Sequence, residues 1–178
     1  MKTKRLKPKS AALLLIDAQE RIMPAMHDPE RALNGMRVAV LAALALDLPV
    51  RVTEQYPKGL GRTMPPLIEA LGEAYQPIEK TRFSAGTDMW GGEIESVLLC
   101  GIEAHVCVLQ TALDLIDAGY HAFALVDAVD SRSARNKSLG LERMRQSGAV
   151  LVSTETALFE LLQDARHPRF KELQGLIK

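Results

Sequence analysis

The sequence has 178 residues, of which 47% are hydrophobic and 25% are charged, a composition typical of one globular domain. Its 22 basic and 22 acidic residues give a formal net charge of zero, so no overall field favours a nucleic acid or a membrane as partner. No stretch approaches the roughly 20 apolar residues of a membrane span. Two cysteines, Cys100 and Cys107, are too few for a disulfide framework, and a reducing cytoplasm is the expected location.

Apolar runs alternate along the chain with segments of helical periodicity, after a basic N-terminus (residues 1–9) that we interpret as a flexible, solvated tail. Pro49 ends one helical segment, and two prolines suit the first turn of the next. Gly119 and Gly148 follow two others, and Thr154 is placed to cap the last helix. The predicted elements are strand 11–16, helix 30–48, strand 49–55, helix 65–73, strand 76–80, strand 96–102, helix 103–119, strand 121–128, helix 134–148, strand 149–153 and helix 155–165.

The predicted strands indicate a parallel sheet. Runs such as "AALLLI" and "SVLLCGI" are apolar throughout, which is typical of strands that are buried on both faces. Six strands with intervening helices therefore predict an α/β fold with helices on both sides of the sheet. Because no repeat, linker or low-complexity tract interrupts the chain, we expect residues 1–178 to form a single domain.

Three chemically useful side chains follow the ends of predicted strands. Asp17 follows the first strand, Lys80 ends the third, and Cys107 lies a few residues beyond the fourth. Ligands of open parallel sheets bind beyond the carboxyl ends of the strands, so these residues are expected on one rim of the sheet. Together they predict a site at that rim.

Each of the three residues also has a purely structural interpretation. A free cysteine is more often a small core residue than a nucleophile, Asp17 could cap a turn, and Lys80 could be solvated. The position of Cys107 in the first turn of a helix favours chemistry, because unpaired N–H groups and the helix dipole there can lower a thiol pKa. The histidines have no metal-ligand spacing, and "KGLGRT" does not follow the dinucleotide-loop pattern, so neither a metal nor a cofactor is expected.

Four segments together carry a family resemblance: "LLLIDAQE", "EKTRFSA", "LLCGIEAHVCVLQTALDLIDAGY" and "VDAVDSRS". They resemble the isochorismatase-like cysteine hydrolase superfamily, and "TEQYPKGLG" with "GIEAHVCV" resembles its isochorismatase-domain-containing subgroup in particular. The resemblance extends from about residue 11 to the C-terminus. It implies a three-layer α/β/α Rossmann-like sandwich with a six-stranded parallel sheet in order 3-2-1-4-5-6, and it implies a homo-oligomer.

The resemblance also implies a catalytic triad of Asp17, Lys80 and Cys107. In that arrangement Cys107 attacks a carbonyl carbon and Asp17 accepts the thiol proton, while Lys80 holds the Asp17 carboxylate and tunes its pKa. It further implies a cis peptide bond before Glu103, with the backbone N–H groups of Glu103 and Cys107 as an oxyanion hole. In the implied strand order Lys80 lies roughly 10 Å from Asp17, so the "EKTR" segment must bend towards the middle of the sheet.

The hypothesis is a metal-independent hydrolase that acts on a small amide-like molecule through a thioester-type intermediate. Nicotinamidases of the superfamily hold a metal near the second strand, where this sequence reads "VTEQYPKG" and has no histidine. The alternatives are an isochorismatase-type vinyl-ether hydrolase, which would not depend on Cys107, and a non-catalytic oligomeric scaffold. Candidate substrate-binding residues, for which packing is an equal interpretation, are Gln19, Gln55, Tyr56, Arg82, Phe83 and His105.

Overall fold

A single parallel sheet organises the molecule, for which the computed structural model describes residues 4–178. All six strands pair in parallel, in the order β3-β2-β1-β4-β5-β6, which confirms the expected topology. The strands are β1 (Ala11–Ile16), β2 (Val50–Gln55), β3 (Pro77–Lys80), β4 (Ser96–Ile102), β5 (His121–Asp130) and β6 (Val150–Val152). The strand order reverses between β1 and β4, so a crevice is expected beyond the carboxyl ends of these two strands.

Helices cover both faces of the sheet and complete the three-layer fold. They are α1 (Pro29–Ala45), α2 (Pro57–Leu60), α3 (Pro65–Leu71), α4 (Cys107–Asp117), α5 (Ala134–Gln146), α6 (Thr154–Leu162) and α7 (Phe170–Gly175). Within the described part of the chain, no helix is long and apolar enough to cross a membrane.

The burial of β1 shows why its sequence is apolar without alternation. Leu13 and Leu15 join the core under α1, α3 and α6, whereas Leu14 and Ile16 join the core under α4 and α5. Both faces of the strand are thus removed from water, and all six of its residues are buried. Cys100 and Cys107 belong to different cores and are both free thiols.

Several element boundaries differ from the prediction. The helix expected at residues 103–119 begins only at Cys107, because residues 103–106 form a tight turn. The fifth strand continues beyond residue 128 to Asp130, after an irregularity in its pairing with β4. Ser153, not Thr154, caps α6, since its Oγ accepts the N–H of Thr156 at 3.0 Å.

The predicted N-terminal tail is partly wrong. Residues 1–3 lie outside the described residues, but residues 4–9 lie against the domain. Leu6 is fully buried, and its N–H donates to Glu160 Oε2 at 3.0 Å. Lys4 Nζ donates to the carbonyl oxygen of Gly148 at 2.6 Å. A single buried leucine therefore anchors a segment whose charge alone indicated a solvated tail.

Candidate active site

Asp17 ends β1 at the point where the strand order reverses. Its backbone adopts a left-handed conformation with φ of 50°, and its N–H donates to the carbonyl oxygen of Thr53 at 3.1 Å. The Oγ1 of Thr53 donates to Asp17 Oδ1 at 2.7 Å. The carboxyl group is almost completely buried, and this burial raises its pKa against the opposing effect of the nearby Lys80 charge.

Lys80 reaches Asp17 across an intervening strand. It ends β3 opposite Gln55, yet its Nζ lies 2.6 Å from Asp17 Oδ2, with only 6% of the lysine side chain and 4% of the aspartate side chain exposed. Nζ also donates to Gln55 Oε1 at 2.8 Å and to the carbonyl oxygen of Phe83 at 2.9 Å. The long side chain and the return of the chain after β3 thus remove the 10 Å separation expected from strand spacing alone.

Cys107 is the first residue of α4 and faces the Asp17 carboxyl group. Only 7% of the residue is exposed. Burial raises the pKa of the Cys107 thiol to about 12, and the negative charge of Asp17 and a hydrogen bond to its carboxylate act in the same direction. Burial and the Asp17 charge thus oppose the lowering of the thiol pKa that a helix N-terminus can give, and the pKa of Cys107 lies above its ordinary value.

A tight turn, residues 103–106, connects β4 to Cys107. The peptide bond between Ile102 and Glu103 is cis. The carbonyl oxygen of Glu103 accepts the N–H groups of Val106 at 3.0 Å and Val108 at 3.2 Å. Across residues 4–178, no acceptor takes the backbone N–H of Glu103 or that of Cys107. Two free N–H groups therefore lie at the two ends of the turn.

Two glutamines among the candidate substrate-binding residues are occupied by contacts within the protein. Gln19 is fully buried; its amide donates to the carbonyl oxygens of Gln55 and Gly61 and accepts the Gln55 N–H. Gln55 uses its own amide to accept from Lys80 and to donate to the Thr81 carbonyl oxygen at 2.7 Å. The structure thus gives both side chains supporting contacts beside Lys80.

An open groove lies next to Lys80, with a volume of about 770 Å³. Tyr56 and Arg82 line it, and the residues Tyr56 and Phe83 are both more than half exposed. Arg82 lies 3.6 Å from Asp88, which also lines the groove. Of these three candidates, Tyr56 and Arg82 line the groove together with Lys80, whereas Cys107 is not among the residues that line it.

His105 lies on the opposite side of the turn. Its Nδ1 is 2.9 Å from Ser131 Oγ, and its Nε2 is 3.4 Å from Asn136 Nδ2. The ring therefore connects the turn to the end of β5 and the start of α5. No group of three or more His, Cys, Asp or Glu side chains that could hold a metal occurs within residues 4–178.

Sequence reasoning missed two side chains that contact this region. Thr53 donates to Asp17, and the register of β1 with β2, which pairs Ile16 with Thr53, brings the two together. Arg132 donates through its Nε to Glu103 Oε2 at 3.0 Å. The position of Thr53 at a strand end was a usable signal, but nothing in the sequence pairs Arg132 with a residue 29 positions earlier.

Comparisons with known proteins agree with this architecture. A family model described as the isochorismatase domain matches residues 11–156. Isochorismatase domain-containing protein 2A of Mus musculus is 42% identical over 180 residues, which cover 98% of this chain and 85% of the mouse protein. The secreted isochorismatase effector Isc1 of Phytophthora sojae is 42% identical over 187 residues, which cover 98% of this chain and 87% of the effector. A structure of MAR1 ribonuclease from Caenorhabditis elegans superposes with a TM-score of 0.93 at 41% identity, covering 98% of this chain and 92% of that one.

Proposed function

Because the chain belongs to the isochorismatase family and has its hydrolase fold, we propose that it is a cysteine hydrolase of small amide-like substrates. The observation that carries the proposal is the buried ion pair of Lys80 and Asp17 beside the Cys107 thiol. Cys107 would be the nucleophile, Asp17 the base beside it, and Lys80 the cation that holds the base, which are groups that acyl transfer can use.

The protonation states support general-base attack by a neutral thiol. With its pKa raised to about 12, Cys107 keeps its proton until a substrate carbonyl approaches. As the sulfur–carbon bond forms, the proton moves to Asp17, and the carbonyl π electrons move to the oxygen. Burial raises the pKa of Asp17 and so makes its carboxylate a stronger base, while Lys80 and Thr53 fix its orientation.

The second half of the reaction uses the same groups. When the tetrahedral intermediate collapses, the carbon–nitrogen bond breaks and the leaving amine takes the proton from Asp17. A thioester on Cys107 remains. Asp17 then removes a proton from water as the water attacks the thioester. The carbon–sulfur bond breaks, Asp17 returns the proton to the sulfur, and the carboxylic acid leaves. The cycle consumes one water and needs neither a metal nor a redox partner.

The free N–H groups of Glu103 and Cys107 support an oxyanion hole. The negative oxygen of a tetrahedral intermediate needs donors that are already oriented and not used elsewhere. No acceptor within the described chain takes these two N–H groups, and one of them belongs to the nucleophile itself. They are therefore the best available donors for the oxygen of a carbonyl under attack by Cys107.

The position of the groove supports a small substrate whose reacting carbonyl passes Lys80 to reach the thiol. Cys107 is largely buried, so a bulky acyl group cannot reach it without a rearrangement. Tyr56 and Arg82 offer an aromatic face and a cation to the remainder of the molecule outside. The cytoplasmic location and the homo-oligomer stay predictions beside this proposal.

A substrate panel with matched variants tests the proposal. Small amides, hydrazides and ureido acids are incubated with the wild type, Cys107→Ala and the control Cys100→Ala, which removes the other thiol. We expect at least one compound to be hydrolysed by the wild type and by Cys100→Ala, and Cys107→Ala to lose nearly all turnover. Isochorismate and an RNA oligonucleotide complete the panel, the RNA because the nematode relative is named a ribonuclease.

The other arms identify the competing functions. Isochorismate turnover that survives Cys107→Ala would favour the vinyl-ether hydrolase over the cysteine hydrolase. RNA cleavage, with every amide inert, would contradict the proposed substrate class. Absence of turnover for every compound, together with no covalent modification of Cys107 by acylating reagents, would favour the non-catalytic scaffold.

A further inference from the structure

A surface arginine contacts the buried residue that carries one of the two proposed oxyanion donors. The Glu103 side chain is 8% exposed, whereas Arg132, in the loop between β5 and α5, has a side chain that is 62% exposed. Glu103 Oε2 accepts two hydrogen bonds from Arg132, from the backbone N–H at 3.1 Å and from Nε at 3.0 Å. From this contact we infer that Arg132 is a positioning residue for acyl transfer, which holds the Glu103 N–H in place for the oxyanion.

Glu103 is held from three directions, and Arg132 supplies the contact to its side chain. Its carbonyl oxygen accepts the N–H of Val106 at the end of the turn and that of Val108 in α4. The N–H of the next residue, Ala104, donates to the carbonyl oxygen of Asp130 at 2.7 Å. Asp130 is the last residue of β5 and Arg132 lies two residues beyond it, so this part of the chain fixes the turn through the backbone and through the Glu103 carboxylate.

The backbone of α5 approaches the same turn closely. A Cβ on Gly140 would lie 2.8 Å from the Ala104 carbonyl oxygen and 2.8 Å from His105 Cα, so only glycine fits at this contact. The segment from Arg132 to Gly140 therefore packs directly against the turn. A displaced Arg132 side chain would free the Glu103 carboxylate, and the neighbouring N–H would lose part of its preorganisation.

The arginine has a second, electrostatic effect that an experiment must separate from positioning. The negative charge of Glu103 contributes to the raised pKa of Cys107, and the Arg132 guanidinium partly neutralises that charge. Loss of Arg132 would therefore lower the thiolate fraction as well as loosen the turn. Only the positioning effect is specific to reactions that develop an oxyanion.

The inference rests on the proposed cysteine hydrolase, and two reactions of the same thiol test it. Alkylation of Cys107 by iodoacetamide forms a sulfur–carbon bond and expels iodide without any oxyanion. Acetylation by para-nitrophenyl acetate forms a sulfur–carbon bond through an oxyanion and expels para-nitrophenolate. Alkylation reports how the charges of Glu103 and Arg132 affect the reactivity of the thiol, so the ratio of acetylation to alkylation separates the oxyanion effect from that change.

The variants are Arg132→Gln, Arg132→Lys and the control Arg143→Gln, an exposed arginine on α5. We expect Arg132→Gln to lower the ratio about tenfold, less than the 10²–10³ lost when an oxyanion donor is removed outright. Arg132→Lys should restore the alkylation rate through its charge but recover the ratio only in part. Arg143→Gln should change neither rate.

Urea unfolding of each variant establishes that it is folded, and Arg132→Lys keeps the test informative if the glutamine variant is unstable. An unchanged ratio in folded Arg132→Gln or Arg132→Lys would overturn the positioning role while leaving the proposed function intact. Acetylation that persists in Cys107→Ser is a different result, since it would overturn the proposed function itself.

Discussion

Replacing Lys80 with methionine should destabilise the protein in a way that depends on pH. The substitution keeps an unbranched apolar stem of four atoms and removes the ammonium group that lies 2.6 Å from Asp17. Both partners are almost completely buried, and removing one partner of a buried ion pair typically destabilises a protein by about 3–5 kcal/mol. In the variant, Asp17 still accepts the hydrogen bond from the Thr53 hydroxyl but no longer forms an ion pair.

The sign of the pH dependence follows from the pKa of Asp17. Burial already raises the pKa of Asp17 above the ordinary value of 3.8, and the charge of Lys80 is the largest influence that lowers it. Loss of Lys80 therefore raises the pKa of Asp17 further. Between the unfolded and the folded pKa, the native protein binds more protons than the unfolded chain, and stability therefore falls as pH rises. The stability difference between wild type and variant should be small in acid and widen by up to about 1.4 kcal/mol per pH unit.

Urea unfolding of the wild type, Lys80→Met and the control Lys58→Met, from about pH 4.5 to about pH 8.5, measures this difference. Lys58 is an exposed lysine that lines the groove, so its substitution should change stability by less than about 0.5 kcal/mol at every pH. A loss in Lys80→Met that does not change with pH would contradict the raised pKa of Asp17. So would a loss below about 1 kcal/mol at the alkaline end, the range of a solvent-exposed pair.

Three further outcomes are expected. Thr53→Val removes the donor to Asp17 Oδ1, so it should destabilise the protein by about 1–3 kcal/mol and lower turnover; an unchanged urea midpoint would contradict this. Gly140→Ala should destabilise it by about 1–3 kcal/mol, since its Cβ would meet the Ala104 carbonyl oxygen; an unchanged melting temperature would show that α5 can move. Iodoacetamide alkylation of Cys107 in a Cys100→Ala background should rise about tenfold per pH unit from about pH 7 to about pH 9.5, because the thiol pKa is about 12; a plateau near neutrality would contradict that value.

The sheet could be predicted from the sequence because its signal is local. "AALLLI" and "SVLLCGI" are buried on both faces, and an uninterrupted apolar run is the direct consequence. The positions of Asp17 and Lys80 at strand ends were sufficient to place both on one rim. Their contact was harder to foresee, because it depends on how a lysine side chain extends across β2.

Properties set by the folded environment could not be predicted. The helix N-terminus suggested a lowered pKa for Cys107, but burial and the Asp17 charge outweigh it, and neither is visible in the sequence. For Gln19 the sequence left substrate binding and packing as equal interpretations, and the structure shows a fully buried side chain that donates to the carbonyl oxygens of Gln55 and Gly61. The burial of Leu6 could not be predicted either, because a single apolar residue between charged residues gives no periodic pattern.

Nucleophilic attack by Cys107 is tested most directly by identifying the atom that carries the acyl group during reaction with para-nitrophenyl acetate. The wild type, Cys107→Ser and Cys100→Ala are quenched in acid before the intermediate is hydrolysed, and the acetylated peptide is mapped by mass spectrometry. We expect an acetyl group on Cys107 in the wild type and in Cys100→Ala, and none in Cys107→Ser. Hydrolysis that continues in Cys107→Ser, or an acetyl group found only on other residues, would contradict the assignment of Cys107 as the nucleophile.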